Sequence, residues 1–311
     1  MPPMYTGKAS SEGQVTEDLI EHYFERASDI GLQIVECAGI SQTAIAFSRM
    51  MRIGSDDFIH GLEKLVRRVH QRGTPIVLQL AHAGGAYTSR ELLGCPPLAP
   101  SAVMIPGKGR EVPRAMTNDG IEEVIHDFSE AGRRAYEAGF DAVEIHGAHA
   151  TLLNQFLSPI TNRRDDEYGG SLENRARISV RVIDGIRKEL GEKYPILYRI
   201  GVEDMLPGGL TIDDGVRAAK MIVDAGADML DVSGGLCGHT HPEKKGPGYY
   251  VPQAVAVKKA VGVPVIGVGG IKTPEEADEI IRSGKVDLVA VGRAILSEPN
   301  WALRAVRSLS R

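Results

Sequence analysis

Seven short apolar segments rich in Val, Ile and Leu recur along the chain, with helical patterns between them. Apolar and polar residues do not alternate in these segments, which is typical of strands that helices cover on both faces. Repeated strand–helix units predict a parallel sheet, because a crossover helix returns the chain to the same edge. The predicted strands span residues 32–35, 76–80, 142–146, 196–200, 229–232, 265–268 and 288–291.

An apolar stub at residues 1–4 adds an eighth strand, and no Pro/Gly/Ser-rich linker divides the chain. These features predict an α/β fold, a single (β/α)8 TIM barrel that forms one domain over residues 1–311. The rival, a doubly wound open sheet, needs a glycine-rich dinucleotide turn after its first strand, and none follows. Long, structureless loops are expected after strands 3 and 6, at residues 83–117 and 233–250, where binding loops are common.

Composition narrows the range of partners. The net charge is −5 and no basic stripe is interleaved with aromatics, which argues against nucleic acid. No apolar run approaches the ~20 residues that cross a bilayer, and no signal peptide is recognisable at the start. The cysteines Cys37, Cys95 and Cys237 form no disulfide framework. We therefore expect a cytoplasmic protein that acts on a small molecule, with no nucleic-acid or membrane partner.

Two histidines, His146 and His149, follow the predicted strand 142–146. Side chains just beyond the carboxyl end of a barrel strand are where barrels place their chemistry. Two imidazoles there could hold an anion or carbonyl oxygen, or ligate a metal, or one could be a core residue. Zinc ligation by Cys237, His239 and His241 is an alternative, but no carboxylate base is evident nearby, so no metal is expected.

Glycines follow the last two predicted strands, at Gly269, Gly270 and Gly292, and Arg293 comes next. In barrels, the loops after strands seven and eight commonly bind phosphate, and glycines let backbone N–H groups approach the anion. Arg293 would add a forked counter-charge. We interpret this pattern as a phosphate site, although such glycines can also serve only to make tight turns.

With these residues assembled, the chain resembles the old yellow enzyme family of FMN-dependent oxidoreductases. It is most similar to the bacterial branch that contains NADH oxidases and 2,4-dienoyl-CoA reductases. The resemblance rests on ordered motifs over nearly the whole chain. They include Gln79-Leu-Ala-His-Ala-Gly84, Asn154-Gln-Phe-Leu-Ser-Pro159, Asp166-Glu-Tyr-Gly-Gly-Ser-Leu-Glu-Asn-Arg175 and Gly267-Val-Gly-Gly270.

The resemblance implies FMN as cofactor, with NADH or NADPH as electron donor. It places Gln79 at the pyrimidine edge of the flavin and Arg199 near N1 and O2, where positive charge stabilises the reduced ring. The residues implied along the flavin ring are Pro2, Pro3, Met4, Tyr5 and Cys37. Those implied at the ribityl phosphate are Gly269, Gly270, Gly292 and Arg293.

By the same resemblance, His146 and His149 hold a substrate carbonyl oxygen while hydride from flavin N5 reduces the conjugated C=C bond. Many family members carry a tyrosine acid where this chain has Thr151, and an aliphatic hydroxyl is a poorer acid. Thr151 and Tyr5 are therefore the remaining catalytic candidates. Tyr249 and Tyr250 are expected to line the substrate pocket, and like Tyr5 they are candidate substitutes for the missing acid.

Further departures from the family pattern leave other hypotheses about the function open. The dienoyl-CoA branch continues into a cysteine cluster for an iron–sulfur centre, and this chain ends at Arg311 without one. We expect direct reduction by NAD(P)H, or else a homo-oligomer or a subunit of a larger flavoenzyme with a truncated start. The alternative activity is an amine dehydrogenase or demethylase, for which the missing tyrosine would matter less. A barrel that only binds a ligand is a third hypothesis, disfavoured by Gln79, Arg199 and Arg293.

Overall fold

The computed structural model describes residues 1–107 and 111–310, and its centre is one sheet of eight parallel strands. These described residues form ten strands, of which β4 and β5 lie outside the central sheet: β1 (Gln33–Gly39), β2 (Met51–Arg52), β3 (Ile76–Ala81), β4 (Leu98–Ala99), β5 (Arg114–Ala115), β6 (Ala142–Gly147), β7 (Ile196–Gly201), β8 (Met229–Ser233), β9 (Val265–Val268) and β10 (Leu288–Ala290). The order in the sheet is β10-β9-β8-β7-β6-β3-β1-β2. All seven predicted apolar segments are strands of this sheet.

Helices follow the strands as the alternating pattern predicts. They are α1 (Glu17–Arg26), α2 (Ile59–His70), α3 (Asn118–Glu137), α4 (Leu152–Leu157), α5 (Leu172–Leu190), α6 (Ile212–Asp224), α7 (Val251–Lys258), α8 (Pro274–Arg282), α9 (Arg293–Ser297) and α10 (Trp301–Leu309). Every residue of β3, β6 and β7 is buried, since helices cover one face and the barrel interior the other. The fold is the predicted (β/α)8 barrel. Of the described helices, none is long and apolar enough to cross a membrane.

The N-terminal segment lies between the two ends of the sheet, but it is not a regular strand. Met1 donates its nitrogen to Leu32 O at 2.8 Å and accepts from Ile34 N at 3.0 Å, so it extends the ladder of β1. Pro2 and Pro3 carry no N–H and cannot continue that ladder. On the opposite side, a Cβ at Gly292 would meet Met4 Sδ at 3.0 Å and Pro2 Cγ at 3.4 Å. The prediction of a strand at residues 1–4 is therefore wrong: the segment packs between β1 and Gly292 without forming a regular strand.

The first of the two long loops is more ordered than predicted. Within 83–117, β4 and β5 pair in parallel, with Leu98 opposite Arg114 and Ala99 opposite Ala115. This short ladder ties the loop back on itself, which corrects the prediction of a structureless connection. Lys108, Gly109 and Arg110 of the same loop lie outside the described residues.

The second long loop is anchored by one carboxylate. Asp204, just beyond β7, is completely buried and accepts three hydrogen bonds: from Ser158 Oγ at 2.5 Å, Leu210 N at 2.8 Å and Leu236 N at 2.8 Å. These donors belong to the segments that follow β6, β7 and β8. A single acceptor thus holds together three neighbouring connections at the carboxyl end of the barrel.

The contacts of Asp204 generate a stability prediction. Replacing Asp204→Ala leaves three buried donors without an acceptor, so the free energy of unfolding should fall by about 3 kcal/mol. Urea unfolding followed by circular dichroism measures this change. The control is Asp165→Ala at an exposed site, which should stay near wild type. Equal stability of the two variants would contradict the assigned role.

Candidate active site

A cavity of about 610 Å³ opens at the carboxyl ends of the strands, within the range of small-molecule sites. Residues of six strands line it, and the N-terminal segment and both long loops complete its wall. Of the predicted site residues, only Tyr250 is not part of the lining. Those that line it are Pro2, Pro3, Met4, Tyr5, Cys37, Gln79, His146, His149, Thr151, Arg199, Tyr249, Gly269, Gly270, Gly292 and Arg293.

The two histidines lie side by side on one wall. His146 is the last residue but one of β6, and the chain then turns through two residues with left-handed backbone, His149 at φ 58° and Ala150 at φ 64°. Non-glycine residues rarely adopt this conformation, and it tends to persist where function requires it. Here it brings both imidazoles to the same cavity, with ring centroids 5.3 Å apart and planes 81° from parallel.

The hydroxyl groups of the two remaining catalytic candidates, Thr151 and Tyr5, both donate hydrogen bonds to backbone carbonyl oxygens. Thr151 lines the cavity, but its Oγ1 lies 2.8 Å from His146 O and 2.9 Å from Ala148 O, to which it donates. Tyr5 also lines the cavity, where its ring stacks on Phe47 at 4.7 Å and its hydroxyl donates to Ser48 O. Neither hydroxyl therefore directs its proton into the cavity.

A polar layer forms the floor of the cavity. Gln79 Nε2 donates to Glu144 Oε1 at 2.7 Å, and Arg199 Nε lies 3.2 Å from Asp231 Oδ2. Burial, and then the charge of Asp231, raises the pKa of Glu144 to about 8. Burial likewise raises the pKa of Asp231, against the opposing effect of Arg199. Sequence reasoning gave no role to these two acids, because strand residues within an apolar run carry no motif of their own.

The glycine turn after β9 is shaped by a tyrosine. Gly269 and Gly270 have φ of 122° and 65°, and a Cβ at Gly269 would lie 2.5 Å from Tyr249 Cδ2. Tyr249 donates its hydroxyl to His239 O at 3.0 Å, and Arg293 Nη2 lies 3.5 Å from that hydroxyl oxygen. The glycines are thus required by backbone conformation and by the close approach of Tyr249.

The charge of the cavity is opposite to that of the chain. Its lining contains the cations Arg199, Lys272 and Arg293, and no Asp or Glu among the described lining residues. In a chain of net charge −5, this arrangement concentrates positive potential at one concave surface. Sequence reasoning missed Lys272, which follows the glycine turn directly. The cavity suits an anionic ligand.

Further lining residues come from loops whose composition offered no specific signal. Phe47, Met50 and Tyr87 form an apolar part of the wall, and His239 stands near its mouth, with its ring 5.9 Å from that of His149. Tyr5 is 45% exposed, and His239 is also exposed. The cavity is therefore accessible to solvent where these two residues line it.

The residues weighed for zinc do not converge. Cys237 Sγ lies 3.6 Å from Glu203 O, while His241 Nδ1 accepts from the backbone nitrogens of Glu243 and Lys244. Within residues 1–107 and 111–310, no three His, Cys, Asp or Glu side chains are arranged to hold a metal.

Tyr250 lies behind the wall and donates its hydroxyl to Gly238 O at 2.7 Å, so it is not placed to contact substrate.

The comparisons with known proteins agree on one family. The NADH:flavin oxidoreductase / NADH oxidase family matches residues 1–311. An NADPH dehydrogenase of Geobacillus sp. (strain WCH70) is 41% identical over 314 residues, covering 99% of this chain and 89% of the relative. An NADH oxidase of Thermoanaerobacter brockii is 39% identical over 98% of this chain, which spans only 48% of that relative.

A solved structure supports the same grouping. The old yellow enzyme homologue from Zymomonas mobilis superimposes with a TM-score of 0.86 at 30% sequence identity. The match covers 99% of this chain and 88% of that one. The similarity therefore extends over the barrel and the cavity loops together.

A buried carboxyl group beside the cavity generates a pH prediction. Glu36 is 1% exposed and accepts from Thr6 N and from Thr6 Oγ1, the latter at 3.0 Å, which anchors the N-terminal segment beside Cys37. Burial outweighs these hydrogen bonds and raises the pKa of Glu36 from 4.5 to about 7. Between these values the folded chain keeps a proton that the unfolded chain has released.

Stability should therefore decrease as pH rises through this window, and Glu36→Gln should remove that part of the slope. A shift of this size corresponds to a contribution on the order of 3 kcal/mol between pH 4.5 and 7. Chemical denaturation of both proteins across pH 4–8 measures the difference. Glu17→Gln, at an exposed site, is the control and should leave the profile unchanged. Parallel profiles for wild type and Glu36→Gln would contradict the prediction.

Proposed function

The chain belongs to the NADH:flavin oxidoreductase / NADH oxidase family, and so to the FMN-dependent NAD(P)H oxidoreductases, and we propose that it reduces a C=C bond conjugated to a carbonyl. The observation that carries this proposal is the pair of imidazoles, His146 and His149, on the wall of a cation-lined cavity. Two ring N–H groups at this separation suit a single oxygen atom between them. Such an arrangement is an oxyanion site.

The residues of the cavity fit FMN. A volume of about 610 Å³ is sufficient for a ligand of this class, and its charge matches an anion. We propose that Arg293, Lys272 and the glycine turn hold the phosphate. At the opposite end, Gln79 and Arg199 would hold the pyrimidine edge of the ring. When bound, FMN supplies the hydride that originates from NADH or NADPH.

In this proposal the chain contributes orientation and electrostatics. His146 and His149 donate to the carbonyl oxygen and stabilise the negative charge that develops there when the double bond is reduced. Arg199, held by Asp231, would stabilise negative charge on the flavin. The apolar wall of Phe47 and Tyr87 would exclude water from one face of the substrate.

The proton that completes the reduction requires a separate source. The hydroxyl protons of Thr151 and Tyr5 are donated to backbone carbonyls, so neither group is arranged as a general acid. We propose that solvent delivers this proton through the exposed mouth beside Tyr5 and His239.

The bonded hydroxyl of Thr151 also favours the second candidate, oxidation of an N-methyl amine, because that reaction needs no acid at this position. Turnover of an N-methyl amine with ferricyanide as the electron acceptor and without NAD(P)H would support it. The same protein would then reduce 2-cyclohexenone slowly or not at all.

The principal prediction concerns the two imidazoles. His146→Ala and His149→Ala should each lower kcat/KM for 2-cyclohexenone by about 100-fold, because each removes one donor from the developing oxyanion. NADPH-driven reduction of ferricyanide, which needs no such donor, should persist. The exposed control His60→Ala should match wild type in both assays. Unchanged cyclohexenone turnover in both imidazole variants, with FMN retained, would contradict the proposed function.

A second prediction concerns the floor of the cavity. Because Glu144 accepts the Gln79 amide N–H, the carbonyl Oε1 of Gln79 is oriented to accept from a ligand. Glu144→Leu removes this acceptor and should weaken FMN binding about tenfold, whereas Glu144→Gln keeps an acceptor oxygen and should bind within about threefold of wild type. Quenching of flavin fluorescence measures both dissociation constants. Equal affinities for the two variants would exclude an orienting role of Glu144.

A further inference from the structure

The ring of His149 is in contact with a hydroxyl group that neither the family motifs nor the proposed reaction uses. Ser233, the last residue of β8, is completely buried, and its Oγ lies 2.7 Å from His149 Nε2. The backbone of the same histidine is tied to the next residue, since His149 N donates to Gly234 O at 3.1 Å. The end of β8 thus holds both the main chain and the ring of His149.

The direction of the hydrogen bond between Ser233 Oγ and His149 Nε2 follows from the requirement that a buried hydroxyl donate its proton to an acceptor. A buried O–H that donates to no acceptor costs about 1–3 kcal/mol, so such groups are almost always paired. In the described part of the chain, His149 Nε2 is the one hydrogen-bond partner seen for Ser233 Oγ. If Nε2 carried the ring proton, it would donate to Ser233, and the hydroxyl proton would be left without an acceptor. The arrangement is satisfied when Ser233 donates and Nε2 accepts.

We propose that Ser233 is a positioning residue that holds neutral His149 as its Nδ1–H tautomer, so that Nδ1 is the nitrogen that donates to the substrate oxygen. The proposal rests on the proposed function in assigning the recipient of that N–H, but the tautomer itself is a property of this chain. The two ring nitrogens of a histidine are distinct, and the partner of one sets the role of the other.

The tautomer has a direct chemical consequence. An imidazole that reached the cavity with its acceptor nitrogen would repel a carbonyl oxygen instead of stabilising it. Free histidine favours the Nε2–H form, so the Nδ1–H form has to be selected by contacts. Ser233 supplies that selection, and the Gly234 carbonyl limits movement of the ring by fixing the backbone that carries it.

The decisive experiment is a nitrogen NMR spectrum of the FMN-loaded chain with labelled histidine, near neutral pH. Protonated and unprotonated ring nitrogens of neutral histidine resonate far apart, and a His149→Gln spectrum identifies the signals of His149. Wild type should show a protonated Nδ1 and an unprotonated Nε2. A protonated Nε2 in the wild type would overturn the inference, whatever the activity of the protein.

Variants then test whether Ser233 causes the selection. Ser233→Ala should give a mixture in which the Nε2–H form is present, and kcat/KM for 2-cyclohexenone should fall about tenfold. Ser233→Thr keeps the hydroxyl and should restore the wild-type spectrum. The matched control is Ser179→Ala, another buried hydroxyl, which lies 2.7 Å from Tyr198 Oη and away from the cavity lining. It should change neither the signals of His149 nor the turnover.

Failure of this inference can be distinguished from failure of the proposed function. If Ser233→Ala leaves the His149 tautomer unchanged, the inference is wrong even where enone turnover falls. If the tautomer shifts as expected but neither protein reduces cyclohexenone, the positioning role stands and the proposed substrate class is wrong. Should Ser233→Ala fail to fold, the wild-type spectrum still decides which nitrogen carries the proton.

Discussion

The whole architecture depends on one constraint: parallel strands that are buried on both faces need crossover connections, usually helices, that return the chain to its starting edge. Every residue of β3, β6 and β7 is buried, so these strands have no side available for polar function along their length. Function is therefore confined to the strand ends and to the loops that follow them. Because all the strands run in one direction, those ends meet around a single cavity.

The same burial creates the electrostatic character of the site. Charged groups inside a barrel are costly unless they are paired, and here Arg199 lies against Asp231, while Glu144 accepts from Gln79. The acids stay beneath the cavity lining, whereas the cations Arg199, Lys272 and Arg293 reach it. Because the acidic side chains lie below the lining and the basic ones form part of it, a chain of net negative charge has a cavity suited to anions.

Loops of this length need internal anchors if they are to present side chains accurately. Asp204 connects the segments after β6, β7 and β8 through three hydrogen bonds, and the β4–β5 ladder organises the loop after β3. The end of β8 in turn holds the backbone and ring of His149. Stability and site geometry are therefore linked, because the groups that order the loops also set the positions of the imidazoles.

The sequence by itself determined the fold class and most of the cavity lining. Apolar segments of strand length are recognisable without tertiary information, and residues such as His146 and Gly269 follow the ends of those segments directly. Tyr250, by contrast, was expected at the cavity and lies behind its wall, because adjacent residues at the start of a helix point in different directions. Sequence adjacency could not distinguish it from Tyr249.

Only the tertiary structure decided which groups contact each other across elements. Glu144 meets Gln79 from a neighbouring strand 65 residues away, and Ser233 meets His149 across a separation of 84 residues. Such contacts arise from strand register and from two left-handed residues in one turn, neither of which leaves a local pattern in the sequence. The periodicity of the sequence therefore specified that the functional residues would lie at the carboxyl ends of the strands. Which of these groups are buried, which contact each other and which atom donates each hydrogen bond depended on the packing of segments that are distant in the sequence.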